Sequence, residues 1–166
     1  MKENWKIIED FPMYSVSDHG NVLNHNSMKI LQESLTRTGL VKIGMVRAGV
    51  QHTRSVSLLV ATYFVKGRTE IFDTPIHLDA DPRNNHADNL VWRPRWFAWK
   101  YTRQFIEDVA FQNRGPLVDT TTDVWYDTME IAAKTHGLLM EDMWKSVIYG
   151  QRVFPTSQAF SFKNKY

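Results

Sequence analysis

Short apolar segments separated by turn residues restrict this chain to short strands and short helices. Between Trp5 and Val22, apolar pieces such as Tyr14–Val16 alternate with Pro12, Ser17 and Gly20. Proline, serine and glycine at such spacing are typical of turns between strands. This part of the chain is therefore predicted to form short strands joined by turns.

Two further stretches carry strand signals. Leu40–Val46 is largely apolar and is followed by Arg47, Ala48 and Gly49, and Gly49 can take the positive φ that a tight hairpin turn requires. After a break at Gly115–Pro116, the run Leu117–Tyr126 predicts two short strands around the polar residues 120–123.

Two segments between these predicted strands have helical patterns. Ser55–Val65 predicts a helix capped by Ser55 or Ser57, although its β-branched residues leave a strand open. A second helix is predicted to begin near Pro94 and to run to Phe111, because apolar residues recur there at helical spacing. Those residues are Trp96, Trp99, Phe105 and Val109.

The C-terminal part contains two more predicted helices, Thr128–His136 and Glu141–Tyr149, which Gly137 and Gly150 end. Their combined length suits a helix-turn-helix, and an ordinary helical hairpin is the commoner alternative. With the strands above, these elements predict an α+β chain.

Composition excludes several classes of protein. The chain has 166 residues, 43% hydrophobic and 23% charged, and no cysteine, so it lacks disulfides, thiolate metal sites and a cysteine nucleophile. No apolar run approaches the ~20 residues that a membrane span needs, and the first residues do not resemble a signal peptide. We expect no membrane partner and a cytoplasmic location, in a bacterial host cell if the chain is phage-encoded.

Positive charge is concentrated in two regions, although the net charge is only +2. Five basic residues and one acid lie between Gly20 and Ser57, and four basic residues and no acid lie between Leu90 and Ile106. Clustered cations suit a phosphate backbone, which makes double-stranded DNA the leading partner. The alternative is a solvated face that keeps the protein soluble.

The segment from Pro75 to Trp92 carries the residues suited to chemistry. It contains two histidines, three asparagines and three aspartates, which favour a compact loop bonded to its own backbone. Leu90 and Trp92 are expected to anchor its end in a core. Histidine can act as a general base near neutral pH, and carboxylates can bind Mg²⁺.

These residues resemble the His-Asn-His (HNH) motif of phage and intron-encoded homing endonucleases. The match consists of His77-x-Asp79, Asn84-Asn85 and Asn89-Leu90-x-Trp92. The patterns around Trp5–Val22 and Val56–Phe64 are similar to the N-terminal module and the joining helix that accompany this motif. The segment from Asp127 to Arg152 is similar, more weakly, to the helix-turn-helix repeat of such enzymes.

The resemblance implies a ββα-metal fold with His77 as the general base and Asn89 as the residue that orients it. It implies Mg²⁺ as cofactor if the chain is active, and no cofactor otherwise. Two departures stand out, because Ile76 and Ala98 occupy the positions where the family has metal ligands. Asp79 and Asp81 are weak alternative ligands, as is His86, but turn bonding is the more common role for such aspartates.

Basic residues beside the motif are the predicted DNA contacts. They are Arg93, Arg95, Lys100 and Arg103 near the motif and Lys134, Lys145 and Arg152 in the C-terminal part. Trp96 and Trp99 lie among the first group, and an exposed aromatic ring there can wedge into the minor groove. Large aromatics are more often core anchors, so we expect these two tryptophans to be buried.

The sequence thus predicts three modules and leaves three functions open. The modules are a β-rich unit at 1–54, an HNH-like ββα core at 55–114 and a helix-turn-helix-like DNA-binding unit at 115–166. The first function is DNA binding with a degenerate catalytic site. The second is metal-dependent DNA nicking by His77 with an altered metal site, and the third is binding to a host or viral protein that handles nucleic acid.

Overall fold

A computed structural model describes residues 2–106 and 110–162 of the chain. The chain divides into two compact units. The first runs from the N-terminus to His77 and resumes at Asp81–Arg95, and the second combines Leu78–Ala80 with the chain from Trp96 onward. The mixture of helices and antiparallel sheets confirms the predicted α+β class.

The first unit opens with a four-stranded antiparallel sheet. Its strands, in the order in which they pair, are β1 (Trp5–Ile8), β2 (Phe11–Ser17), β3 (Val22–Asn24) and β4 (Lys29–Ile30). The turn between β2 and β3 contains Gly20 at φ +94°, a conformation that favours glycine. The prediction of short strands joined by turns is confirmed.

A second sheet contains the predicted hairpin. It consists of β5 (Ser34–Leu35), β6 (Val41–Arg47) and β7 (Val50–Ser55). Ala48 and Gly49 form the two-residue turn with φ of +51° and +77°, as a tight hairpin requires. Alternate residues Val41, Ile43 and Met45 of β6 are buried, so one face of this hairpin lies on the core.

Helix α1 (Val56–Phe64) follows directly and confirms the helix predicted for this segment. Ser55 occupies the N-cap position, but its hydroxyl lies 2.9 Å from the hydroxyl of Ser57 and makes no bond to a backbone amide of the helix. The expected side-chain cap is therefore absent at Ser55. Packing of the buried residues Val56, Val60 and Ala61 stabilises the helix instead.

The segment with the HNH pattern forms a two-stranded antiparallel ribbon, β8 (Thr74–His77) and β9 (Leu90–Arg93). A short 3-10 helix, Ala87–Asn89, ends the loop between them. Leu90 and Trp92 are 4% and 2% exposed, which confirms that they anchor the end of the loop in the core.

A hydrophobic cluster forms the core of the first unit. It joins residues of the N-terminal sheets, such as Val16 and Met45, with Val60 of α1 and Trp92 of β9. Residues on both sides of the predicted boundary between 54 and 55 therefore share a core. The division into modules at 54/55 and 114/115 stays a proposal about the chain's organisation.

The second unit combines three helices and a three-stranded antiparallel sheet. The helices are α2 (Arg95–Arg103), whose first residue ends the first unit, α3 (Met129–His136) and α4 (Met140–Tyr149). The strands are β10 (Leu117–Asp119), β11 (Val124–Tyr126) and β12 (Phe160–Phe162), with β10 in the centre. A separate hydrophobic cluster that includes Leu117, Met129 and Phe160 forms its core.

The C-terminal predictions are largely confirmed, with two differences. Thr128 caps α3 by accepting the amide of Ile131, and Gly137 and Gly150 end α3 and α4 with positive φ. Strand β12 was not predicted. Helix α2 ends at Arg103, well before Phe111. The side chain of the next residue, Gln104, donates to the carbonyl of Leu138 and accepts the amide of Met140 at the start of α4.

Val109, the last apolar residue of the predicted pattern, lies outside the described residues. Within residues 2–106 and 110–162, no helix is both long and apolar enough to cross a membrane.

A buried polar network ties the sheet of the second unit to α3. Asp119 is fully buried and accepts hydrogen bonds from Thr121, Thr122 and Gln158. Burial opposes ionisation of Asp119, but these bonds outweigh it and hold the pKa of the carboxyl below its usual value. The ring of His136 contacts the Tyr126 hydroxyl, and burial lowers the pKa of this histidine, which the Asp119 charge only partly offsets.

We expect acid to destabilise this unit in a window set by His136. Because the pKa of His136 in the folded protein lies below the ordinary 6.5, the unfolded chain binds the proton first as the pH falls. Stability contributed by the neutral ring is full above about pH 6.5 and decreases below it. Thermal unfolding from pH 7 to pH 5 should show a smaller decrease in Tm for His136→Gln than for the wild type, and an equal decrease in both would contradict this account.

Candidate functional site

His77 lies at the end of β8, half-buried, with Leu90 of β9 as its partner across the ribbon. Strand pairing fixes the backbone of His77, because Ile76 pairs with Val91 on one side of it and the loop begins on the other. The sequence-predicted general base thus lies on a rigid element, where its side chain can be oriented by the loop that follows.

The side chain of Asn85 contacts the imidazole of His77 directly. Its side chain is 4% exposed, and its Oδ1 lies 3.1 Å from Nε2 of His77. Its Nδ2 donates to two backbone carbonyls, those of Arg83 at 3.2 Å and Pro82 at 3.5 Å. These carbonyls fix which way the amide points, so Oδ1 faces the imidazole and accepts a hydrogen bond from Nε2–H.

This arrangement also selects the tautomer of the neutral imidazole. With the proton on Nε2, the lone pair of the neutral ring lies on Nδ1. The sequence-based prediction included Asn84-Asn85 in the motif but gave Asn85 no role. The sequence signal for this role was the Asn84-Asn85 pair, whose second residue lies eight positions after His77.

Asn89, which was predicted to orient His77, has an observed role in the loop itself: its side-chain amide donates to the carbonyl of Asn84 at 2.8 Å. This bond closes the loop across the residues that carry Asn85. The direct orienting role predicted for Asn89 stays a prediction.

The β2–β3 turn supports the loop that follows β8. The amide of Ala87 donates to the carbonyl of Asp18 at 2.8 Å, and the rings of His19 and His86 lie 4.6 Å apart. A Cβ on Gly20 would lie 3.0 Å from Cβ of Asn85, so only glycine permits this approach without displacing Asn85. The N-terminal strands therefore take part in positioning the histidine site.

The side chains at the two positions where the resemblance implies metal ligands do not fit a divalent cation. Ile76 is a hydrocarbon residue at 3% exposure, and Ala98, on α2, has only a methyl group. Among residues 2–106 and 110–162, no three histidine, cysteine, aspartate or glutamate side chains are grouped as a metal site. Asp79 and Asp81 are exposed, and Asp81 accepts the amide of Arg83, which is the turn bonding expected of it.

The predicted DNA contacts near the motif separate into two sets. Arg93 is only 6% exposed, and its guanidinium donates to the carbonyl of Trp92, so its burial argues against the predicted contact. Arg95, Lys100 and Arg103 are exposed on α2.

The expectation that Trp96 and Trp99 are core anchors is wrong. They are 54% and 60% exposed, whereas Phe97 and Tyr101 on the opposite side of α2 are buried. The spacing of the aromatic residues correctly predicted a helix. Both faces of α2 carry large aromatic rings, however, and the sequence did not indicate which pair is buried.

The three predicted DNA contacts of the C-terminal part, Lys134, Lys145 and Arg152, each have a partner within the chain. Lys134 pairs with Glu130 at 2.8 Å, and Lys145 pairs with Glu141 at 2.6 Å. Arg152 donates to the carbonyl of Ser157 at 2.8 Å. The two helices α3 and α4 are joined by residues 137–139, and their assignment as a DNA-binding helix-turn-helix stays a prediction.

Comparisons with known proteins confirm the predicted resemblance of this fold and its histidine loop to HNH homing endonucleases. The chain is 34% identical over 91 residues to DNA endonuclease I-HmuI of Bacillus phage SP01, a match covering 53% of this chain and 51% of that enzyme. It is 32% and 36% identical over 92 and 94 residues to two HNH endonucleases of Acanthamoeba polyphaga mimivirus.

The mimivirus matches cover 55% and 54% of this chain but only 27% and 23% of those proteins. The chain thus spans about half of the phage relative and less of the others. The solved structure of I-HmuI, an HNH homing endonuclease that binds and cleaves DNA, has the same fold, with a TM-score of 0.57 and 24% identity over 98% of this chain and 99% of that one. No protein-family model matches the chain.

Removing the Asn85 amide should release the tautomer of His77. Asn85→Ala deletes the acceptor for Nε2–H and leaves buried polar groups unpaired, so we expect a loss of about 1–3 kcal/mol in the free energy of unfolding. Long-range ¹H–¹⁵N NMR spectra should show the Nε2–H form of His77 in the wild type and a mixture of tautomers in the variant.

Asn84→Ala is the matched control, because Asn84 is exposed and its backbone carbonyl, which Asn89 uses, is kept. We expect this variant to retain the wild-type tautomer. Equal tautomer populations in the Asn85 variant and the wild type would show that Asn85 does not orient the ring.

Proposed function

We propose that this protein binds double-stranded DNA with a fold shared with HNH homing endonucleases, and that its cleavage activity is lost or very low. The proposal rests mainly on two consecutive residues of β8. The imidazole of His77 is held by a hydrogen bond, while Ile76 stands immediately before it, where the family has a metal ligand. Ala98 at the second ligand position supports the same conclusion.

Cleavage of a phosphodiester creates negative charge that an enzyme must stabilise. In the family, the metal that the resemblance implies would stabilise charge on the phosphate and the leaving oxygen, a contribution of several kcal/mol. Each ~1.4 kcal/mol of lost stabilisation reduces the rate about tenfold. A chain with a base but without the two ligands is therefore expected to be slower than an intact enzyme by orders of magnitude.

Support for DNA as the partner comes from the charge of α2 and from the relatives. Helix α2 carries three exposed cations and no acid, which suits a phosphate backbone. We propose Arg95, Lys100 and Arg103 as the main phosphate contacts. Lys134, Lys145 and Arg152 of the C-terminal unit are secondary contacts, since each already has a partner and α4 begins with Glu141 and Asp142.

Restoring the missing ligands tests the proposal directly. Supercoiled plasmid is incubated with Mg²⁺ or Mn²⁺ and one of three proteins. They are the wild type, the double variant Ile76→Asp/Ala98→Asn, and the triple variant that adds His77→Ala. We expect little nicking by the wild type, at least about a hundredfold more by the double variant, and none when His77 is also replaced, because both the metal ligands and the base are required.

Circular dichroism and Tm of each variant verify folding, since the Ile76→Asp substitution introduces a carboxylate in place of a buried hydrocarbon side chain. If the wild type nicks the plasmid and the single substitution His77→Ala abolishes that nicking, the proposal of a degenerate site is contradicted and an altered metal site is favoured. Asp79→Ala and Asp81→Ala would then identify the carboxylate that serves it.

A further inference from the structure

The exposed face of α2 is an unusual surface. Trp96, Trp99, Lys100 and Arg103 are spaced at i, i+3, i+4 and i+7, so they form one stripe along the helix. Within it, the ammonium of Lys100 lies 5.9 Å from the Trp96 ring, and the guanidinium carbon of Arg103 lies 4.4 Å from the Trp99 ring. Two aromatic rings are thus presented to solvent with a cation against each.

Trp96 and Trp99 differ in what they contact. Trp96 stacks on Phe154 with ring centres 5.8 Å apart and meets Phe97 edge-on, so part of its ring is committed to the protein. Trp99 is 60% exposed, and among residues 2–106 and 110–162 its ring contacts no other aromatic ring. Exposure of so large an apolar ring beside cations indicates a surface used for binding.

A groove of about 240 Å³ lies beside Trp99, and its lining suits a flat, partly apolar group. Leu139 and Met140 provide an apolar wall, Gln104 closes one side, and Lys100 and Arg103 provide positive charge. Glu141 also lines the groove, but its carboxylate is bonded to Lys145 at 2.6 Å, a bond that holds the pKa of Glu141 below its usual value. Its charge is therefore balanced locally, and the surface remains suited to an anionic partner.

We propose that Trp99, with Arg103 against its ring, stacks on a nucleobase where a base step of duplex DNA is opened. Exposed rings wedged between base steps are a general means of kinking DNA, and stacking tolerates any base because each has a flat π-face. Arg103 and Lys100 contact the phosphates on either side of the step. This inference rests on the proposed DNA binding and adds a deformation of the DNA to it.

The energetic signature of a wedge is a preference for DNA that is already weakened. Opening a paired step costs free energy, and a mismatched step has lost part of that cost before the protein binds. A wedge therefore binds a mismatched duplex more tightly than a matched one, whereas a protein that contacts only phosphates binds both alike.

The test compares two duplexes of about 30 base pairs that differ by one central mismatch, each with 2-aminopurine beside the central step. Fluorescence anisotropy gives the ratio of the two Kd values, and 2-aminopurine emission reports stacking at the step. We expect the wild type to prefer the mismatched duplex by about tenfold or more, Trp99→Phe to keep most of this preference, and Trp99→Ala to reduce it to about twofold.

Trp125→Ala is the matched control, because Trp125 is 53% exposed but lies on β11; it should keep the wild-type ratio. If the wild type binds DNA but Trp99→Ala has the same ratio, the wedge is overturned while DNA binding stands, and the exposed face is then assigned to a protein partner. If the wild type binds neither duplex, both the proposed function and the wedge are overturned.

Discussion

The buried amide of Asn85 is the interaction on which the histidine site depends. Its two donors are held by the carbonyls of Pro82 and Arg83, and its acceptor faces His77. A buried amide with unpaired groups costs free energy, so the loop is stable only in a conformation that satisfies all of these bonds. That conformation in turn requires the close approach of Gly20 and the bond from Ala87 to Asp18.

This dependence gives His77 a structural role that does not require a metal ion. His77 donates a hydrogen bond to Oδ1 of the buried Asn85 amide. Replacing the histidine therefore removes a hydrogen bond from the loop whether or not catalysis occurs. Ile76 and Ala98 carry no such bond. The bond to Asn85 is thus a structural reason for a histidine at position 77 that the side chains at positions 76 and 98 do not share.

Much of the fold was predictable because its signals are local. The hairpin at Ala48–Gly49 and the ends of α3 and α4 at Gly137 and Gly150 follow from backbone conformations that favour particular residues. The motif from His77 to Trp92 was likewise read from spacing, and the comparisons confirm the family resemblance.

The remaining features depend on tertiary contacts that spacing does not encode. The bond of the Gln104 side chain to α4 and the pairing of β12 with β10 join residues that are far apart in the sequence. Burial of Arg93 and exposure of Trp99 are set by which side of each element meets a core. The role of Asn85 follows from a loop conformation that several separate segments determine together, so residue type and spacing indicated only that the loop is compact.

The central claim, that this fold now serves DNA binding, is tested most directly by the salt dependence of binding to duplex DNA. Each neutralised phosphate contributes about −0.9 to the slope of log K against log salt, so contacts from Arg95, Lys100 and Arg103 predict a slope of about −2.7 or steeper. Between about 50 and 200 mM KCl, the affinity should then fall about 40-fold or more. No measurable binding at the lowest salt, or binding that salt leaves unchanged, would contradict the account.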